Sequence, residues 1–195
     1  IKSGTTVVTD NYSVSKANGT LTVEPAYTAQ SADCNSLTYN GADQVLINPN
    51  DSKSKFVSYT NNTGKDAVDS NGNQKSYTVT VTADNNHRFS DGSKTITKSC
   101  SISKRATTCT ATTTSKYYNG SALSANSGSC TNLASGQKET VTATGSITNA
   151  GSTTNKYTGA TIKSGTTDVS KQYTITCKNG YLTVNRARTA NKGSC

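Results

Sequence analysis

Tryptophan and methionine are absent from this chain, histidine occurs once, proline twice and phenylalanine twice. Without the large apolar side chains, any core must be assembled from Val, Ile, Leu and Tyr, with Phe56 and Phe89 as the only phenylalanines. No apolar run approaches the roughly 18 residues that a membrane-spanning helix needs, so no membrane insertion is expected in this segment. Apolar residues at helical spacing are missing and helix formers are scarce, so essentially no helix is expected. Acidic residues thin out along the chain. Residues 106–195 carry nine Lys and Arg against only Glu139 and Asp168, whereas residues 1–105 carry eleven against nine.

What the chain has in abundance is hydroxyl groups, with 26 Ser and 35 Thr in 195 residues. These are interleaved with apolar residues at period two, as in Tyr77-Thr-Val-Thr-Val-Thr82 and Tyr173-Thr-Ile-Thr176. Such alternation excludes a disordered chain and points to half-buried strands. Threonine suits them, being β-branched and stiff at χ1 yet wettable on the outer face. The formal charge of +9 favours anionic partners in principle. The basic residues are dispersed, however, and only Arg88, Arg105, Arg186 and Arg188 are arginines. Nucleic-acid recognition, which wants Arg and stacking rings on one face, is therefore not expected.

The chain repeats itself. Ile1-Lys-Ser-Gly-Thr-Thr6 recurs as Ile162-Lys-Ser-Gly-Thr-Thr167, Asn18-Gly19-x-Leu21-Thr22-Val23 as Asn179-Gly180-x-Leu182-Thr183-Val184, and Cys34 as Cys195. A period of about 160 residues is the mark of an array, so the chain is expected to be a window of a longer protein. Two tandem units fit between the copies. One spans residues 25–105 and the other 106–186, with 1–24 as the closing hairpin of a preceding repeat and 187–195 as the first strand of a following one. Each unit opens with a strand that reaches a Tyr-Asn-Gly turn, at Tyr39-Asn40-Gly41 and Tyr118-Asn119-Gly120. In the second unit the expected strands are 107–115, 122–131, 138–144 and a last hairpin of 173–177 and 181–184 turning at Lys178-Asn179-Gly180. In the first they are 55–59, 75–82 and 95–103. Many short strands with frequent turn signals argue for an all-β chain of antiparallel sandwiches. Pro25, in the linker Val23-Glu-Pro-Ala26, limits bending at a junction.

Several separated pieces occur in the order found in a known family. They are Leu133-Ala-Ser-Gly-Gln137, Val141-Thr-Ala-Thr-Gly-Ser146, Thr148-Asn-Ala-Gly151, Thr166-Thr-Asp168 and Tyr173-Thr-Ile-Thr followed by Asn179-Gly-Tyr-Leu-Thr-Val184. With Asn11-Tyr-Ser-Val and Asn18-Gly-Thr-Leu-Thr-Val23, and with Tyr39-Asn-Gly and Phe89-Ser-Asp-Gly-Ser-Lys94 in the first unit, the chain resembles the MBG-type and related bacterial Ig-like repeats of large surface adhesins. The resemblance implies tandem Ig-like β-sandwich domains, or a β-grasp-like variant, in a secreted or wall-attached protein. It covers nearly the whole chain, which departs from the common pattern in its cysteines.

Six cysteines in a chain without methionine point to an oxidising compartment and a disulfide-braced fold. No Cys-x-x-Cys occurs, and a metal site is not expected. Cys34 and Cys100 fall in the opening and closing strands of the first unit, which run side by side in an Ig-like sandwich, and are expected to pair. Such a bridge stabilises by roughly 4 kcal/mol in the loop-entropy model. In the second unit, Cys109 and Cys130 lie symmetrically about Asn119–Gly120, so an antiparallel hairpin sets them opposite one another. Cys177 is the alternative partner of Cys109, and Cys195 copies Cys34.

Catalytic groupings are sparse. The lone His87 lies in an Asn-rich turn, and a Ser or Cys nucleophile would need a base. Asp66, Asp69, Asp84 and Asp91 are spread over loops without EF-hand spacing. Glu139, near Lys116 and Asn185, could assist an isopeptide bond, a device already made redundant by the cysteines. No enzyme activity and no cofactor are expected. The leading expectation is a stalk or fibre segment of an extracellular or cell-surface bacterial adhesin-like protein, with neighbouring repeats as its partners. The alternatives are a module in which the basic second unit binds anionic glycans, mucins or cell-wall polymers, and a filament subunit that exchanges strands.

Overall fold

The computed structural model describes residues 2–188 apart from 12, 14 and 16, with Asn11 described by its backbone alone. The expectations for Cys195 and for a strand over 187–195 therefore lie almost wholly outside the described residues. The structure is all-β. Among the described residues, the only helical pieces are single 3-10 turns at Thr9–Asn11, Ser52–Ser54 and Ser170–Gln172.

The chain starts with a hairpin of β1 (Lys2–Ser3) and β2 (Thr6–Val7). The first unit then supplies β3 (Leu37–Thr38), β4 (Gln44–Val45), β5 (Val57–Thr60), β6 (Thr63–Gly64), β7 (Tyr77–Ala83), β8 (Thr95–Cys100) and β9 (Ile102–Ser103). β5, β7 and β8 form an antiparallel sheet, β4 pairs with β6, and β3 lies parallel to β9. Alternation decides the faces. Along β7, Val79, Val81 and Ala83 are buried while the threonines between them are partly or fully exposed.

The second unit contains β10 (Arg105–Ala111), β11 (Thr114–Tyr117), β12 (Leu123–Ser124), β13 (Gly128–Cys130), β14 (Gln137–Thr144), β15 (Ser146–Ile147), β16 (Gly151–Ser164), β17 (Thr167–Asp168), β18 (Tyr173–Lys178) and β19 (Gly180–Asn185). One sheet has the order β13-β10-β18, another β11-β19-β16-β14 with β17 on β16, and β12 pairs with β15. No ladder joins strands of the two units among the described residues.

Four expectations from the sequence are corrected. The opening strand does not run unbroken over 107–115, and residues 173–184 are not a hairpin. β10 is parallel to β18 in one sheet, whereas β11 is parallel to β19 in the other. Both strands therefore cross between sheets together, at Thr112–Thr113 and at Asn179. Side chains hold the crossing open. Buried Asn155 on β16 donates from Nδ2 to the Thr112 carbonyl at 2.9 Å, and Tyr181 N donates to Thr113 Oγ1 at 3.1 Å. Asn179 Oδ1 accepts from Tyr157 N at 2.9 Å. The backbones touch here. A Cβ on Gly180 would stand 2.3 Å from the Thr112 oxygen, so only glycine fits. The expected strand over 122–131 is likewise split, into β12 and β13, which pair with different neighbours. The strand expected over 95–103 divides in the same way at Ser101.

The first stretch of the sequence repeat folds alike in both copies. In β1–β2, Lys2 pairs with Val7 and Ser3 with Thr6. In β16–β17, Lys163 pairs with Asp168 and Ser164 with Thr167. Gly4 and Gly165 have φ of 60° and 59°, the left-handed conformation that the first central position of a II′ hairpin turn requires. The 3-10 turns Thr9–Asn11 and Ser170–Gln172 occupy matching places. The copies diverge afterwards. Leu182 and Val184 are 0% and 2% exposed on β19, while their counterparts Leu21 and Val23 are 93% and 87% exposed in a segment without a ladder. β19 is paired on both edges, by β11 and β16, whereas residues 17–24 join no ladder among the described residues. The first arm of the expected closing hairpin, with residues 12, 14 and 16, lies outside them.

Candidate functional site at the inter-unit junction

The end of the first unit and the start of the second share one apolar core. Tyr39, Leu46, Ala67, Val68 and Ile102 from the first pack in a single cluster with Ala134, Ile162 and Tyr173 from the second. Tyr39 (1% exposed) and Tyr173 (4%) meet edge to face, with ring centroids 5.6 Å apart and an interplanar angle of 80°. Aromatic pairs prefer this geometry because the positive ring edge meets the negative ring face.

Polar groups entering this core are satisfied across the boundary. Gln137 bridges the two phenols: its Nε2 donates to Tyr39 Oη at 2.8 Å, and its Oε1 accepts from Tyr173 Oη at 2.6 Å. Ala134 N donates to the same Tyr173 oxygen at 2.9 Å. Burial raises the Tyr39 phenol above its ordinary value, against a smaller opposing effect of the hydrogen bond from Gln137. Gln172 imitates a strand. Its Oε1 accepts from Ala67 N at 2.7 Å and Val68 N at 3.1 Å, while its Nε2 donates to the Val68 carbonyl at 3.1 Å. Lys171 Nζ reaches the Ser70 carbonyl at 2.7 Å. Arg105, at the boundary itself, binds Asn132 through Nε and Nη2 at 2.7 and 2.8 Å and the Tyr39 carbonyl through Nη1 at 3.4 Å. Buried amides left without partners cost about 1–3 kcal/mol each, so these bonds fix the register of one unit on the other. An open cleft of about 810 Å³ flanks the contact, lined by Asp66, Asp69, Lys75, Asp168 and Lys171 among others.

The structure joins Cys34 to Cys100 and Cys109 to Cys130, the two pairs preferred from the sequence, with Cα–Cα distances of 5.6 and 4.0 Å. Cys177 is a free, exposed thiol. The first bridge ties the opening segment to the end of β8, beside the parallel β3–β9 contact. Thr113 and Tyr181 stand at the corresponding places of the second unit, the same distance before Tyr-Asn-Gly and before the Arg-Ala junction. They are linked by a hydrogen bond where the first unit has a covalent one. Two disulfides are compatible with an extracellular setting, and no helix among the described residues is long and apolar enough to cross a membrane.

The remaining candidates are scattered. His87 Nδ1 lies 2.6 Å from Asp84 Oδ1, and its ring stacks on Phe56 at 3.9 Å. Asp69, Asp84 and Asp91 each accept backbone N–H groups of their own turns, from Asn71 and Asn73, from Asn86 and from Ser93 respectively. Asp66 instead pairs with Lys75 Nζ at 3.2 Å. Glu139 Oε1 accepts from Cys130 N at 3.2 Å, while Lys116 Nζ is bound to Asn119 Oδ1 and the Ser121 carbonyl, so Glu139, Lys116 and Asn185 are not brought together. Among the described residues, no group of three His, Cys, Asp or Glu is placed to hold a metal ion.

Sequence reasoning missed Tyr39, Gln137, Gln172 and Tyr173 as junction residues. One signal was available: position 172 carries an amide side chain, and so does its counterpart Asn11 in the other copy. No family model, no curated protein and no solved structure matches this chain.

Proposed function

We propose that the chain is a structural segment of an extracellular repeat array, built from Ig-like β-sandwich units and serving as a stiff spacer at a cell surface. The carrying observation is the junction. Units on a flexible string would meet through a polar, wet contact, the usual state of interdomain interfaces within a chain. Here two tyrosines and an isoleucine are buried in a core common to both units, and Gln172 makes strand-like bonds to the neighbouring backbone. The resemblance to MBG-type repeats of bacterial adhesins supports the same reading. Pulsed EPR on spin labels at Ser58→Cys and Lys138→Cys, in a background with Cys177→Ser and Cys195→Ser, is expected to give one narrow distance distribution, broadened by Gln172→Ala. A broad distribution before that substitution defeats the stiff-spacer reading.

A second reading, assembly by strand addition, is favoured by Leu21 and Val23. These residues expose side chains whose counterparts are core residues, in a segment with the sequence of a central strand. On this reading the segment pairs with a sheet of another copy. Sedimentation is then expected to show concentration-dependent association that Leu21→Asp with Val23→Asp abolishes. Monomers at every concentration rule it out.

A further inference from the structure

Three of the described cysteines stand in one row across the sheet β13-β10-β18. Cys109 is in register with Cys130 on its antiparallel side and with Cys177 on its parallel side. We infer that Cys177 is the nucleophile of an internal thiol–disulfide exchange, in which the Cys109–Cys130 bridge is converted to Cys109–Cys177.

The geometry meets each requirement of that chemistry. Directly paired residues on neighbouring strands lie about 4.8 Å apart, inside the 4.4–6.8 Å Cα range of disulfides. Residues in register point to the same face of a sheet, so Cys177 shares the face that buries Cys109, at its solvent-exposed end. Cys109 is fully buried. Cys177 is approached by the hydroxyl of Tyr157, which pairs with buried Ala143 in the facing sheet. Exchange needs the incoming sulfur to attack along the S–S axis, opposite the leaving one. β10 lies between β18 and β13, so Cys177 and Cys130 flank Cys109 from opposite sides. Burial, and then the neighbouring thiol, push the Tyr157 phenol up to about 12. Tyr157 therefore keeps its proton.

The step is balanced without an external oxidant. The Cys177 thiol loses its proton to solvent and its sulfur attacks Cys109 Sγ. The Cys109–Cys130 bond breaks, and the Cys130 thiolate takes up a proton. The departing partner is easily released, since β13 is a three-residue edge strand. The product joins the opening to the closing strand, the connection that Cys34–Cys100 makes in the first unit. The chemistry is independent of the spacer reading, although its mechanical consequence rests on it.

The test is peptide mapping of the full chain. The protein is held in a glutathione redox buffer, quenched with acid and alkylated with iodoacetamide. Alkylated Cys130 together with a Cys109–Cys177 cross-linked peptide is expected, and Cys177→Ser should remove both. Cys130→Ser should oxidise to a Cys109–Cys177 bridge in a chain whose circular dichroism remains β-type. If Cys130→Ser fails to fold, mapping of the unsubstituted chain decides alone. Alkylation of Cys177 with Cys109 and Cys130 both unalkylated and still bridged after prolonged incubation overturns the inference, as does a folded Cys130→Ser chain with Cys109 and Cys177 still free. Either result leaves the spacer reading standing, because the EPR distances do not depend on it.

Discussion

Pulled from its two ends, the oxidised chain is expected to give one large extension step, of about 210 Å at roughly 3.5 Å per residue, and that step comes from the second unit. The first unit is expected to give almost nothing. Its bridge joins residues 66 apart in sequence, so force entering near residue 34 leaves near residue 100 without loading the strands between. In the second unit the bridge spans only 21 residues, and the rest of the unit is free to extend once its strands part. The step should need high force. The loaded strands lie side by side and parallel, β10 with β18 over the five residue pairs from Arg105 to Cys109, beyond which the bridge carries the load past β11. Tension then shears the whole ladder at once instead of unzipping it bond by bond.

Reduction removes the asymmetry. Without its bridge the first unit is expected to release about 230 Å and the second a further ~75 Å, again at roughly 3.5 Å per residue. Two comparable steps from the oxidised chain would show that the first bridge does not carry the load. The same record reads out the exchange proposed above. A Cys109–Cys177 bridge spares only about a dozen residues of the second unit, and its step falls to ~45 Å. Force–extension curves on single molecules, with and without reductant, distinguish all these cases.

How far the sequence reaches is seen by comparing particular residues. Wherever one residue's neighbours decide its state, the reading is direct. The alternation in Tyr77–Thr82 becomes the buried and exposed faces of β7, and that in Glu139–Thr144 places Val141 and Ala143 inside. The turns at Gly4 and Gly165, whose φ glycine adopts without cost, carry no Asn-Gly signal and emerge only in the structure. The symmetry of Cys109 and Cys130 about Asn119 survives as a ladder register, even though the strands between leave for another sheet. The sheet crossing itself is not legible. It depends on Asn155 meeting the Thr112 carbonyl and on Gly180 meeting the Thr112 oxygen, contacts between segments far apart in the chain. The junction was hidden for the same reason. Gln172 reads as a solvated turn residue until Ala67 and Val68 are placed against it.

That junction carries the second large effect. Tyr173→Ala is expected to lower stability by about 3–5 kcal/mol, the usual range for emptying a buried aromatic site. The loss should not stay within the unit that contains the residue. Tyr173 covers Tyr39, shares Gln137 with it and accepts the N–H of Ala134, so its removal uncovers the apolar end of the first unit as well. A single calorimetric transition is expected for the unsubstituted chain. In the variant it should split into two, both lying lower. Tyr173→Phe separates the contributions: the ring contact is kept, and only the bonds to Ala134 and Gln137 are lost, at about 1–3 kcal/mol. A double-mutant cycle of Tyr39→Ala with Tyr173→Ala should give a coupling energy above about 0.5 kcal/mol, the level that residues in contact exceed and independent sites do not. Additive losses would mean that the two units fold side by side without sharing a core, and the stiffness inferred for the junction would lose its physical basis.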